Sequence, residues 1–340
     1  FGMDGLGGRL LASLSDAPGL RSCIFAQIVP SSLLHRTQIA PVHAALLHGR
    51  AVSHQVALKG GLGGLREMLV GRIEKSRGET KLGDRIEFVD VQRGRVQHVK
   101  LMGHDSATGC DFLVSGVSAR AMNRLLTTEG RRLDVDAVAQ KDLRTVAHLV
   151  PLRLRVGNEV FPQPMADLVH VIFDEQEPPA GANLAVLERV LEDPEEGSSD
   201  LWVSFLLDHD RLLSSPEYAR QMSHEVRSRL RSVVPFLDDF ILDVHDPTDG
   251  LSLAGVDLEP EEELARVLPP VYRTSRPGPW SACGLDYRTD LKNLFICSRE
   301  VLPGLGAEGS WLAAWGAAGL ITAMDPAKTK FGSRPSRWSF

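Results

Sequence analysis

The stretch NLFICSREVLPGLGAEGSWLAAWGAAGLITA, residues 293–323, decides how the chain is read. Leu294, Phe295 and Ile296 read as a buried strand, and Pro303, Gly304 and Gly306 as a turn. Trp311, Trp315, Ala318 and Ile321 read as one helical face. A helix is therefore expected to begin between Gly306 and Gly309. Its first-turn N–H groups and positive dipole end favour an electron-rich or anionic group, and glycine lets such a group approach the backbone. The same text also fits a strand and helix packed through small residues with no ligand. A strand, glycine turn and small-residue helix usually stand near the start of a nucleotide-binding fold. Here they stand near the end.

Working outward, 340 residues with ordinary apolar and charged fractions are enough for a sizeable core and roughly two domains. The formal charge of -6 provides no basic footprint, so nucleic acid is not an expected partner. Cys23, Cys110, Cys283 and Cys297 form no CxxC pair, which argues against a disulfide framework and points to a reducing compartment, the cytoplasm. No apolar run approaches the ~20 residues of a membrane-spanning helix, and no signal-peptide pattern opens the sequence. Peripheral membrane contact stays open.

From Leu20 to Leu58 the text is helical in character, interrupted by Pro30 and Pro41. Gly60, Gly61, Gly63 and Gly64 then precede a helix whose Leu62, Leu65, Leu69 and Ile73 share a face. Ile86 and Phe88 begin a strand, Arg93-Gly94 marks a hairpin, Val96 and Val99 belong to the return strand, and Phe112 to Val114 form a short buried third. From about residue 127 to 270 longer mixed elements are joined by acidic, proline-bearing connections. Leu201 to Leu207 is a core strand there. A helix runs from Pro216 to about Val234, with Tyr218, Met222, Val226 and Leu230 on one face.

The Gly-Gly-x-Gly turn with its helix and hairpin, taken with the closing strand, Pro-Gly-x-Gly turn and Glu-Gly helix, resembles the FAD-dependent phytoene desaturase and carotenoid isomerase family, among the amine-oxidase-like flavoproteins. The resemblance is concentrated at residues 59–126 and 293–319. It implies a mixed α/β (α+β) protein with a discontinuous, Rossmann-like FAD-binding domain and an inserted substrate domain. On that scheme residues 1–55 form a helical cap or cavity wall, 56–126 the middle of the FAD domain, and 127–270 the substrate domain. Residues 271–323 close the FAD domain and 324–340 are a basic tail. The cofactor implied is FAD, and the activity is that of an oxidoreductase of desaturase, isomerase or dehydrogenase type on an apolar small molecule.

The resemblance places Gly60, Gly61 and Gly63 near the flavin and substrate boundary, and the backbone of Ile86 near the adenosine part. Gly304, Gly306, Glu308 and Gly309 approach the isoalloxazine, mostly through main chain. The sequence departs from the family at two points. It lacks the G-x-G-x-x-G strand-turn-helix that receives the FAD pyrophosphate, so an upstream segment or a partner chain is expected to complete the site. The closing strand also runs into Cys297, Ser298 and Arg299, where many relatives carry an acidic residue. Glu300 stands in reach of that role, and Arg299 reads equally as a phosphate contact or a solvated cation.

No other constellation carries chemistry as far. His209 between Asp208 and Asp210, and His245 before Asp246, lack the spacing of a metal site. Ser115 lacks a nucleophile elbow. Trp311 and Trp315 read more readily as core than as cofactor partners. The alternative function class is a noncatalytic subunit or scaffold that keeps the fold without the cofactor.

Overall fold

The computed structural model describes residues 18–28, 31–35, 38–53, 61–128, 131–132, 143–163, 165–174, 176–177, 181–190, 197–249, 264–265, 267–275 and 282–324. Helices α1 (Pro18–Ile28), α2 (Pro41–Ser53) and α3 (Gly61–Lys75) come first. Strands β1 (Ile86–Gln92), β2 (Arg95–Leu101), β3 (Ala107–Gly109) and β4 (Leu113–Ser115) follow, then α4 (Ala119–Leu125), β5 (Leu126–Thr128) and β6 (Arg131–Arg132). The middle holds β7 (Leu143–Gly157), β8 (Leu168–Ile172), β9 (Leu184–Val190) and β10 (Ser198–Asp208), then α5 (His209–Ser214) and α6 (Pro216–Leu230). Last come β11 (Ile241–His245), β12 (Pro270–Thr274), β13 (Leu294–Ile296) and α7 (Gly306–Met324). The protein is mixed α/β, and its chain divides into two compact units, each discontinuous in sequence.

The first unit comprises residues up to Ala51, Asp142–Gly284 and Leu302–Gly309. Its sheet runs β11-β7-β10-β9-β8, with β12 also paired to β7, all antiparallel. The expected strand at Leu201–Leu207 is the centre of β10. Its odd positions, Leu201, Val203, Phe205 and Leu207, are buried with Leu152, Leu154 and Val156 of β7. The helix expected from Pro216 ends at Leu230, with Pro216 in its first turn. Val226 and Leu230 are in the core and Tyr218 and Met222 pack against it, as the four-residue spacing requires. Pro41 does not interrupt a helix but opens α2, where its missing N–H costs nothing. Ile28, Ile39, Ala44 and Leu47 make a second small cluster.

The second unit comprises Val52–Lys141, Leu285–Val301 and residues from Ser310. The order β3-β2-β1-β5-β6 forms one sheet. Its β1–β2 hairpin turns at Arg93 (φ 51°) and Gly94 (φ 71°), the pair of left-handed residues that a two-residue turn matched to strand twist requires. The strand expected at 112–114 is β4, and it pairs in parallel with β13. Phe295, Cys297 and Ala317 are buried together, with Phe112, Tyr287, Leu320 and Ile321 against them.

Two expected faces differ. On α7 the buried stripe is Ala313 and Ala317, whereas Trp311 and Trp315 are 54% and 70% exposed. Small residues let the helix lie close to β13, and this choice of face turns the tryptophans outward. On α3, Leu69 and Ile73 are likewise exposed.

Candidate functional site

The closing turn is built from the backbone. Residues 303–305 form a single 3₁₀ turn, and the Gly306 N–H donates to Pro303 O. Gly306 stands at φ 58° and ψ −135°, a corner that belongs to glycine, and a Cβ there would stand 2.8 Å from Ser31 O. A Cβ on Gly309 would collide with the Leu302 carbonyl. The loop is fastened by Leu33 N–H donating to Pro303 O at 2.8 Å and Gly304 N–H donating to Ala282 O at 3.1 Å. Gly304, Gly306 and Gly309 are buried, and Glu308 is exposed. The chain's own backbone thus accounts for the glycines at 306 and 309. The Gly306 amide is taken by Pro303, and by helix geometry the following first-turn amides of α7 have no intrahelical acceptor, which suits an electron-rich neighbour.

At the carboxyl end of the parallel pair β4–β13 the second unit offers another helix start, α4. That end is filled by protein. Glu300 Oε2 accepts from the Ala119 N–H at 2.7 Å and from the Ser298 hydroxyl at 3.4 Å, while Ser118 Oγ accepts from the Ala121 N–H. Burial pushes the Glu300 carboxyl above its ordinary range, against the hydrogen bonds from Ala119 and Ser298 and the charge of Arg299, which pull it down. Arg299 itself is exposed. A phosphate has no place at α4, because a carboxylate already caps it.

The expected site residues fall into both units. Gly304, Gly306, Glu308 and Gly309 share one short segment of the first. Gly61, Gly63, Ile86 and Arg299 belong to the second, on separate elements. Gly61 opens α3, Gly63 is an exposed residue one turn in with open space around it, and Ile86 is the exposed first residue of β1. Gly60 lies outside the described residues.

Sequence reasoning missed the far face of the first unit's sheet. Trp202, Ser204 and Leu206 of β10 point away from the core and are half-buried. Register sets Ser204 between Pro151 of β7 and Val186 of β9, with His170 of β8 beside Val186. Ala26 of α1 packs over one end of this face, against Leu184, Ile172 and Leu206. Near the other end Arg153 Nε donates to the buried Asp200 Oδ2 at 2.7 Å. Burial lowers the pKa of His170, which favours its neutral ring. The even positions of DLWVSFLLD carried the signal, a tryptophan and a serine alternating with core residues. Among the described residues no group of three or more His, Cys, Asp or Glu stands together as metal ligands, and no helix is long and apolar enough to cross a membrane.

No family model matches the chain, and no curated protein matches it significantly. Among solved structures it is similar to one described as an oxidoreductase from Methanosarcina mazei. The likeness has a TM-score of 0.52 and 12% sequence identity, and covers 87% of this chain. The chain spans 63% of that protein's length, and at this identity the likeness is one of fold.

Proposed function

We propose that the chain is one part of an FAD-dependent oxidoreductase of desaturase, isomerase or dehydrogenase type, acting on an apolar small molecule in the cytoplasm or at the surface of a membrane. The observation that carries this reading is the head of α7: a left-handed glycine corner delivering a nineteen-residue helix whose first-turn amides suit an electron-rich ring. The description of the solved structural relative as an oxidoreductase is in keeping with it. Bound FAD supplies hydride acceptance. The chain's own contributions are then modest. Main chain at Gly304, Gly306 and Gly309, beside the Glu308 side chain, orients the ring. The half-buried face around Trp202, Ser204 and Leu206 holds apolar substrate and excludes water. Donors for the pyrophosphate are assigned to a segment or partner chain outside these residues, since the sequence has no G-x-G-x-x-G fingerprint ahead of the closing stretch and the start of α4 is taken by Glu300.

A second reading, a noncatalytic subunit with a flavoprotein-like fold, is favoured by one observation. Gly306 and Gly309 are demanded by Ser31 and Leu302 whether or not a cofactor is present. The two readings separate on the visible spectrum of the native assembly purified through this chain, together with FAD titration of the chain alone. A flavin spectrum in the assembly, with weak uptake by the chain alone, is the expected result. A colourless assembly that takes up no FAD would establish the noncatalytic reading. Tight uptake by the chain alone would remove the need for outside donors.

A further inference from the structure

His148 and His209 are 61 residues apart in sequence, yet both are buried and their rings meet, His148 Nε2 to His209 Nδ1 at 3.0 Å. His148 lies in β7, where its backbone is paired with Leu207 of β10 on one side and Pro270 of β12 on the other. Its Nδ1 is 3.3 Å from Leu268 O, two residues before β12 begins. His209 is the first residue of α5, which Asp208 caps by accepting from the Arg211 N–H.

Donor and acceptor roles follow from the chemistry of the partners. A carbonyl only accepts, so His148 carries its proton on Nδ1 and donates to Leu268. In the neutral ring Nε2 then has only a lone pair, and His209 Nδ1–H donates to it. A proton added to His148 lands on Nε2 and turns the acceptor of this bond into a donor, so the bond is lost or His209 must give up its Nδ1 proton and change tautomer in a buried place.

We infer that this histidine pair is an acid-sensitive latch, holding the lead-in to β12 and the start of α5 to the first half of β7. Charged groups on the neighbouring elements are Asp208, Asp210 and Arg211 at α5, Arg144 on β7, Arg273 on β12, and Glu217 with Arg220 on α6. All of these are exposed, and the electrostatic influence on His148 comes from His209. Burial lowers the His148 pKa to about 4, with the Leu268 bond acting against the shift and His209 adding to it. The folded-state value is therefore below the unfolded one. The latch contributes in full above pH 6.5 and is lost as pH falls from 6.5 toward about 4, because the unfolded chain binds the proton first.

The test compares the wild-type chain with His148→Gln, whose amide oxygen still accepts from His209 but cannot titrate. Between pH 6.5 and about 4 the unfolding constant of the wild type should climb more steeply than that of the variant, by up to roughly tenfold per pH unit. Parallel curves overturn the proposal. If His148→Gln fails to fold, two measurements on the wild type decide. Nitrogen chemical shifts should report the Nδ1–H tautomer at His148. Amide protection at Val271–Thr274 and in α5 should fall on acidification before that of β9. The other tautomer, or uniform loss of protection, overturns it.

Discussion

The antiparallel sheet of residues 143–274 and the closing stretch 293–324 hold themselves together by different means. β10 and β7 match over eleven registered pairs, and every second side chain is buried from Leu201 to Leu207 of β10 and from His148 to Val156 of β7. Stability there is spread over many apolar residues, so no one of them sets the register alone. The pair β4–β13 has three residues per strand. Its location depends on single polar groups that occupy backbone positions. Asn293 Oδ1 accepts from the Val96 N–H at 2.8 Å, and its Nδ2 donates to Val96 O and Asp111 O, both at 2.9 Å. Asn293 thus acts as an extra link of strand, and Glu300 does the same for α4. Where pairing is long, composition specifies it; where pairing is short, individual atoms do.

Substitutions can break this contrast at graded cost. The largest effect is expected at Gly309→Val, whose Cβ meets the Leu302 carbonyl. Relief requires the head of α7 to shift, so a loss of about 4 kcal/mol or more is expected in urea unfolding. Such a variant is a poor test of cofactor binding, because it attacks the fold first. Asn293→Ala should cost roughly 2–4 kcal/mol, because the buried backbone groups of Val96 and the carbonyl of the more exposed Asp111 lose their partner. Asn293→Asp should fare no better, since a carboxylate cannot donate to the two carbonyls. Recovery of wild-type stability by the aspartate would show that the clamp is not what positions β13. The smallest effect is expected at the exposed Trp315→Ser, within about 0.5 kcal/mol by the same unfolding measurement. A large loss there would mean that the outer face of α7 is part of a packed interior.

Much of the long sheet was legible because its signals are local. A short apolar run marks β10, Pro216 and a four-residue apolar spacing mark α6, and Arg93-Gly94 marks the hairpin. The turn at Gly306 was legible for the same reason. Less accessible were features set by distant residues. The spacing of Trp311 and Trp315 shows that they share a face of a helix, but not that Ala313 and Ala317 win the buried side by fitting closer to β13. Nor does SREVLP reveal that Glu300 caps α4. The half-buried face around Trp202 needed the register of four strands before it became a surface, and His148 and His209 have no sequence spacing in common with any motif.

The Glu300 cap on Ala119 also has a consequence in time. The two residues are 181 positions apart, and β4 and β13 meet across a similar span. Closing so long a loop for three paired residues is entropically costly and offers little in return until it is complete. During synthesis β1 to β5 leave the ribosome long before β13 exists, while the antiparallel sheet of residues 143–274 can form from neighbours already made. The sheet therefore should mature first, and β4 should wait with Val114 open to solvent and pairing. Pulsed hydrogen exchange during refolding would show amides of β10 protected before those of β13.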